Sequence, residues 1–95
     1  MRFPIRIFRV ADSSMEPGLS PGDYIFVNGF SQKVRVNDVV VMRHPSKNIY
    51  IVKRVRRISG SKFYLLGDNA KNSEDSRKFG ALERDGLVGK LVFRL

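Results

Sequence analysis

Ile49-Tyr50-Ile51-Val52-Lys53-Arg54-Val55-Arg56-Arg57-Ile58 is the stretch from which the rest of this chain is read. It is an apolar run without glycine or proline and reads as a strand. Strand side chains alternate between two faces. One face carries Ile49, Ile51, Lys53 and Val55, and the other Tyr50, Val52, Arg54 and Arg56. Lys53 therefore falls among aliphatic residues, while the neighbouring arginines fall on the more polar face. Burial disfavours an ammonium and lowers its pKa by up to roughly 3–5 units. A lysine shifted that way accepts a proton near neutral pH, as a general base must. Arginine cannot do so, because guanidinium stays protonated. The ordinary fate of a lysine in this register is to snorkel, with its stem on apolar surface and its head in water.

Outward from that strand, short apolar runs alternate with turn residues at intervals typical of an all-β domain. The candidates are residues 5–10, 24–28, 39–42, 62–66 and 87–93. Val39-Val40-Val41-Met42 is a continuous apolar run, expected to be covered on both faces. Ser20-Pro21-Gly22-Asp23 is a turn signal before the second strand. Helical signals are confined to single turns at residues 14–19 and 72–76. The expected fold is mainly β: a small, bent β-sheet or partly open barrel, with the chemistry at its rim.

The chain has 95 residues, enough for one domain over residues 1–95 with a modest core. It has no cysteine, which excludes disulfides and thiolate metal sites. The one histidine, His44, precedes Pro45, is expected on the surface of a loop and carries no assigned role. No apolar run approaches the roughly 18 residues that cross a bilayer. Met1–Val10 interleaves Arg with Phe and Ile around Pro4, unlike the apolar stretch of a secretory signal. The expected location is cytoplasmic, peripheral to a membrane at most. Net charge is +9, from 18 basic and 9 acidic residues. That excess favours anionic partners. The basic residues are nevertheless scattered, without a dense tract or aromatic stacking motif, so no nucleic-acid partner is expected.

Two polar segments supply chemistry beside Lys53. Ser13-Ser14-Met15-Glu16-Pro17-Gly18-Leu19 places a serine before a turn at the end of the first strand. A serine hydroxyl is a poor nucleophile until a base takes its proton, and a turn can aim backbone N–H groups at a developing oxyanion. Gly67-Asp68-Asn69 turns off the strand 62–66, and Ser73, Asp75 and Arg77 follow at alternate positions. In an extended segment these three share one side. Ser73 would then hold the Lys53 amine, and Asp75 and Arg77 would form a supporting ion pair.

Ser14-Met15-Glu16-Pro17, Pro21-Gly22-Asp23, Val52-Lys53-Arg54-Val55 and the Gly67–Arg77 box occur in one order. Gly80 and Gly86-Leu87-Val88-Gly89-Lys90 follow them. Together they resemble the catalytic domain of type I signal peptidases, the S26 serine peptidases, over residues 5–95. The chain is also similar to short, anchorless members such as the maturation proteases of nickel-type superoxide dismutase. The resemblance implies a serine endopeptidase that removes an N-terminal leader or propeptide from a protein, with no cofactor and no metal. It makes Ser14 the nucleophile and Lys53 the general base. It has Ser73 orient the lysine with help from Asp68, Asp75 and Arg77 stiffen the site, and the Ser14 N–H serve as an oxyanion donor. Its substrate adds as a strand between Ile7-Phe8-Arg9-Val10 and the strand of Ile51 and Val52, a mode of recognition by β-augmentation. Small side chains would precede the scissile bond. The family's longer enzymes carry a membrane anchor, so a membrane surface or an anchored partner is a further expected contact.

Asp12 departs from the pattern, standing where the family often has serine or glycine. An ionised carboxylate there opposes the oxyanion, and Ser13 is the substitute hydroxyl donor. Two other readings compete. A self-cleaving repressor domain of the LexA class shares the Ser-Met and buried-lysine arrangement but lacks the Gly67–Arg77 box. A basic binding module for nucleic acid or an anionic membrane surface would use the same β-scaffold with a silent site.

Overall fold

The computed structural model describes residues 5–30 and 33–95, so the first four residues of the Met1–Val10 stretch lie outside them. The strands are β1 (Ile5–Arg9), β2 (Tyr24–Asn28), β3 (Val39–Arg43), β4 (Tyr50–Ser59), β5 (Lys62–Leu66), β6 (Leu82–Glu83) and β7 (Leu87–Arg94). They pair antiparallel in one sheet of order β1-β2-β7-β3-β4-β5-β6. Register shifts interrupt the β2/β7, β3/β7 and β4/β5 ladders. Such bulges bend a strand and increase its twist. The sheet accordingly curls into a partly open barrel, as expected for a mainly β chain.

Curling gives the sheet two apolar faces, and β3 feeds both. Val40 and Met42 join Ile51, Val55, Phe63 and Leu65 in one cluster. Val39 and Val41 join Val10, Met15, Ile25 and Val27 in the other. All four of these β3 residues are buried. Close approach matters at Gly89, where a side chain would run into Val27 and the Asn28 backbone of the neighbouring strand. Among the described residues no helix is long and apolar enough to cross a membrane.

Four local expectations need correction. Ile49 was placed with the inward face of the strand, but it precedes β4 and is exposed. Residues 14–19 form hydrogen-bonded turns, Glu16 N–H to Ser13 O and Leu19 N–H to Met15 O, without a helix. Pro17 lacks the N–H that a helical turn would use. The turn expected at 72–76 is divided into a 3-10 turn at Ala70–Asn72 and a short helix, α1, at Ser76–Phe79. The reason is Asp75, whose carboxylate accepts the Arg77 N–H and starts the helix there. Ser73, Asp75 and Arg77 therefore do not lie on one extended segment.

Candidate active site

Beyond β1 the chain is fastened twice before it reaches Ser14. Val10 N–H donates to Asp23 O and Gly22 N–H to Val10 O, both at 2.8 Å. Met15 and Leu19 then sink into the second apolar cluster. From the far side, Asn69 N–H donates to Ser14 O at 2.8 Å, and Asn69 Nδ2 to Ser13 O at 3.1 Å. Gly67 lets this loop close, since a side chain there would strike Ser73 and the Ser14 carbonyl. Ser14 is thus held by its own backbone against the strand that carries Lys53.

Lys53 Nζ donates to Ser14 Oγ at 2.8 Å, across 39 residues of sequence. Each residue is only 3% exposed. Burial pushes the Lys53 amine below the ordinary lysine value, against the pull of the Asp12, Asp75 and Glu74 carboxylates, while Arg77 pushes the same way as burial. A neutral amine in this position would accept the hydroxyl proton instead of donating one.

Asp12 is placed on the other side of the serine. Its Oδ1 accepts the Ser14 backbone N–H at 3.1 Å. The donor expected to face an oxyanion is therefore occupied by a carboxylate. Ser13 meets its neighbours through its carbonyl oxygen, which takes the Glu16 N–H and Asn69 Nδ2.

Asp75 is fully buried and organises the loop under Lys53. It accepts Gly67 N–H at 2.9 Å, Ser73 Oγ–H at 2.7 Å, Arg77 Nε at 3.0 Å and Arg77 Nη2 at 2.6 Å. Burial alone would raise its pKa, but Arg77, Gly67 and Ser73 outweigh that and hold the carboxyl well below its usual range. Ser73 was expected to hold the Lys53 amine. Its hydroxyl goes to Asp75 because the carboxylate is the stronger acceptor and lies two residues away. Asp68, expected to help orient the lysine, instead takes both Nε and Nη2 of Arg54 at 2.9 Å.

A hollow of about 70 Å³ adjoins Ser14, lined by residues of β1 and its extension (Phe8, Arg9, Val10) and by Ile51 and Val52 of β4. The sequence-derived substrate residues thus gather beside Ser14, except Ile7, which is exposed on the opposite face of β1. Among the described residues the outer edge of β1 is unpaired, and β5 pairs with β4 only from Arg54 onward. A slot between two free strand edges leads to the serine.

A family model described as Peptidase S24-like matches residues 4–92. The chain belongs to this family. Signal peptidase I of Pseudomonas aeruginosa is 31% identical over 106 residues, covering 93% of this chain and 35% of the bacterial protein. The signal peptidase complex catalytic subunit SEC11 of Colletotrichum graminicola is 36% identical over 93 residues, covering 92% of this chain and 53% of the fungal one. The chain therefore spans about a third to a half of these relatives' lengths. Signal peptidase IB of Staphylococcus aureus is 49% identical over 37 residues, or 39% of this chain. The signal-peptidase resemblance of the motifs agrees with these matches.

Several residues around this candidate site escaped the reading of its sequence. Asn69 and Arg54 stand within the quoted motifs, yet nothing in their spacing shows that one ties the serine segment and the other clamps Asp68. Ser76 Oγ accepts the Leu65 N–H at 2.8 Å, a buried bond between α1 and β5. His44 was expected on the surface, but its side chain is 4% exposed. Its Nδ1 accepts the Ser46 and Lys47 N–H groups, so Nε2 carries the proton and donates to Glu74 at 2.9 Å. Among the described residues no group of His, Asp and Glu is placed to hold a metal ion.

Proposed function

We propose that the chain is a Ser/Lys endopeptidase that removes a leader or propeptide from a protein, with Ser14 as nucleophile and Lys53 as general base. The observation that carries this reading is the 2.8 Å contact between Lys53 Nζ and Ser14 Oγ, made by two buried side chains. The name of the matched relatives, signal peptidase, supports leader removal as the task.

In this reading a peptide enters the slot between β1 and β4 as an added strand, and a small side chain fills the hollow beside Ser14. Neutral Lys53 takes the Oγ proton as Oγ attacks the scissile carbonyl carbon. The resulting oxyanion turns to the Ser14 N–H, which Asp12 must release. The lysinium gives its proton to the leaving amine, the C–N bond breaks, and an ester on Ser14 remains. Water, deprotonated by Lys53, then hydrolyses the ester and frees the acid. Asp75, with Arg77, Ser73 and Gly67, fixes the loop on which Ser14's carbonyl rests.

The test is cleavage of leader-bearing peptides with alanine before the cut, together with labelling by a serine-directed acylating probe. Ser14→Ala and Lys53→Met should each lower turnover by at least about 10²–10⁴-fold. Full cleavage by either variant would sink the assignment. The bond from Ser14 N–H to Asp12 favours one alternative, a silent site on a basic binding module. That alternative requires no labelling of Ser14, and binding to nucleic acid or anionic vesicles that collapses with added salt.

A further inference from the structure

Phe8 of β1 and Tyr50 of β4, whose residues also line the hollow beside Ser14, meet edge to face with ring centroids 5.4 Å apart. Arg6 lies over both rings, 5.0 Å from the Phe8 centroid and 5.6 Å from that of Tyr50. Arg43 is the ladder partner of Tyr50 and approaches the same phenol. The two guanidiniums hold the Tyr50 hydroxyl below its ordinary pKa, Arg6 more than Arg43. Beside them is a hollow of about 270 Å³ lined by Arg43, His44, Lys47, Asn48, Ile49 and Tyr50.

Charge in this corner is one-sided. Arg54, Arg77 and Arg94 each pair with an aspartate, whereas Arg6 and Arg43 form no ion pair among the described residues. Glu74, the carboxylate near this hollow, is engaged by His44 and Lys47. Two exposed arginines therefore converge on one phenol that also lines the hollow beside Ser14. Such a site suits a carboxylate, which a guanidinium binds through paired N–H groups.

We propose that Arg6 and Arg43, with the Tyr50 hydroxyl, form a specificity subsite for an acidic side chain of the substrate strand. The inference rests on the peptidase reading for its register. Tyr50 lies three residues before Lys53 along β4, which is roughly 10 Å of strand. An added strand whose scissile carbonyl lies at Ser14 therefore brings to this corner a residue three to five positions from the cut. Its carboxylate displaces no protein anion. It lies against Arg6 and Arg43 as the Phe8–Tyr50 contact parts, and the basic hollow admits an Asp or Glu side chain. The substrate class is thus narrowed to leaders with an acidic residue at one position near a small residue at the cut.

The test takes the full chain and short fluorogenic peptides of Ala, Gly and Ser, in which Glu, Gln or Lys is moved through each position around the cut. At one position, three to five residues from the cut, Glu should raise kcat/KM about tenfold over Gln, as expected for two partly solvated charge pairs. The gain should appear mainly in KM. Arg6→Glu combined with Arg43→Glu should reverse the order, so that Lys is preferred to Glu there. Equal rates for Glu and Gln at every position, or a Glu preference that survives the double reversal, would overturn the subsite and leave the peptidase standing. Binding of the same peptides to the unmutated chain, read by fluorescence anisotropy, separates the two ideas. A chain that cleaves nothing but binds the Glu peptide more tightly, with a ratio that shrinks in salt, overturns the peptidase and keeps the subsite. A chain that neither cleaves nor discriminates overturns both.

Discussion

Lys53 makes a stability argument as well as a chemical one. Burial lowers its folded pKa below the unfolded value of roughly 10.4, so the unfolded chain binds that proton more readily. The Lys53 penalty is therefore absent above about pH 10.4 and grows as pH drops toward the folded value. Lys53→Met keeps a similar length of apolar stem and removes the burden. In urea titrations at pH 7 it should unfold about 1–3 kcal/mol harder than the unmutated chain, with the gain fading as pH rises from the folded value and gone by about pH 10.4. An exposed, snorkelling lysine would give no such gain. Asp12 invites a second substitution at this scale. It accepts the Ser14 N–H and pulls the Lys53 pKa upward. Asp12→Ala should raise kcat/KM about fivefold, the value of one released hydrogen bond. The acid limb of the pH–rate profile should move to lower pH, because one carboxylate that stabilises the ammonium is gone. Slower cleavage would mean that Asp12 serves the reaction instead of restraining it.

The loop from Gly67 to Phe79 is the element on which the site rests, and Asp75 is its keystone. Asp75→Ala removes the cap of α1 and leaves the Gly67 N–H and Ser73 hydroxyl without their acceptor. A loss of about 3 kcal/mol is expected in thermal or urea unfolding. Because the carboxyl is held below its usual range, its contribution is present above about pH 4 and is lost as pH falls toward the folded value. The difference between the unmutated chain and Asp75→Ala should therefore shrink in acid. Gly67→Ala should lower cleavage more than stability, since the added methyl presses on the Ser14 carbonyl while the sheet below is untouched. At this scale the strands were legible because a period of two repeats over five or more residues, as in Tyr24–Asn28 and Lys62–Leu66. The two-residue β6 and four-residue α1 are too short to show a period. Lys53 was legible only when its aliphatic register was joined to the serine and Gly67–Arg77 motifs, because register alone favours a lysine that snorkels. The destinations of Ser73 and Asp68 were not, since a polar side chain near two acceptors declares no choice until the backbone is placed.

For the molecule as a whole, the two apolar faces share β3 and β4, so they should lose order together. Phe63→Leu in one cluster and Ile25→Val in the other should each cost about 1 kcal/mol. The costs should add within about 0.5 kcal/mol, because the clusters lie on opposite faces of the sheet. Circular dichroism and tyrosine fluorescence should report one coincident transition in every variant. Two transitions would mean that the faces are separate folding units. Which strands neighbour which was not legible, since alternation looks the same beside any partner. β7, the last strand in sequence, lies between β2 and β3. That placement has a consequence for biosynthesis. A ribosome releases the hairpin bearing Ser14 early and the ribbon bearing Lys53 later, as two pieces that share no ladder. The strand that zips them emerges after both. A nascent chain thus holds Ser14 and Lys53 apart until translation has passed β7, so the dyad of the proposed mechanism would be assembled only at the end of synthesis.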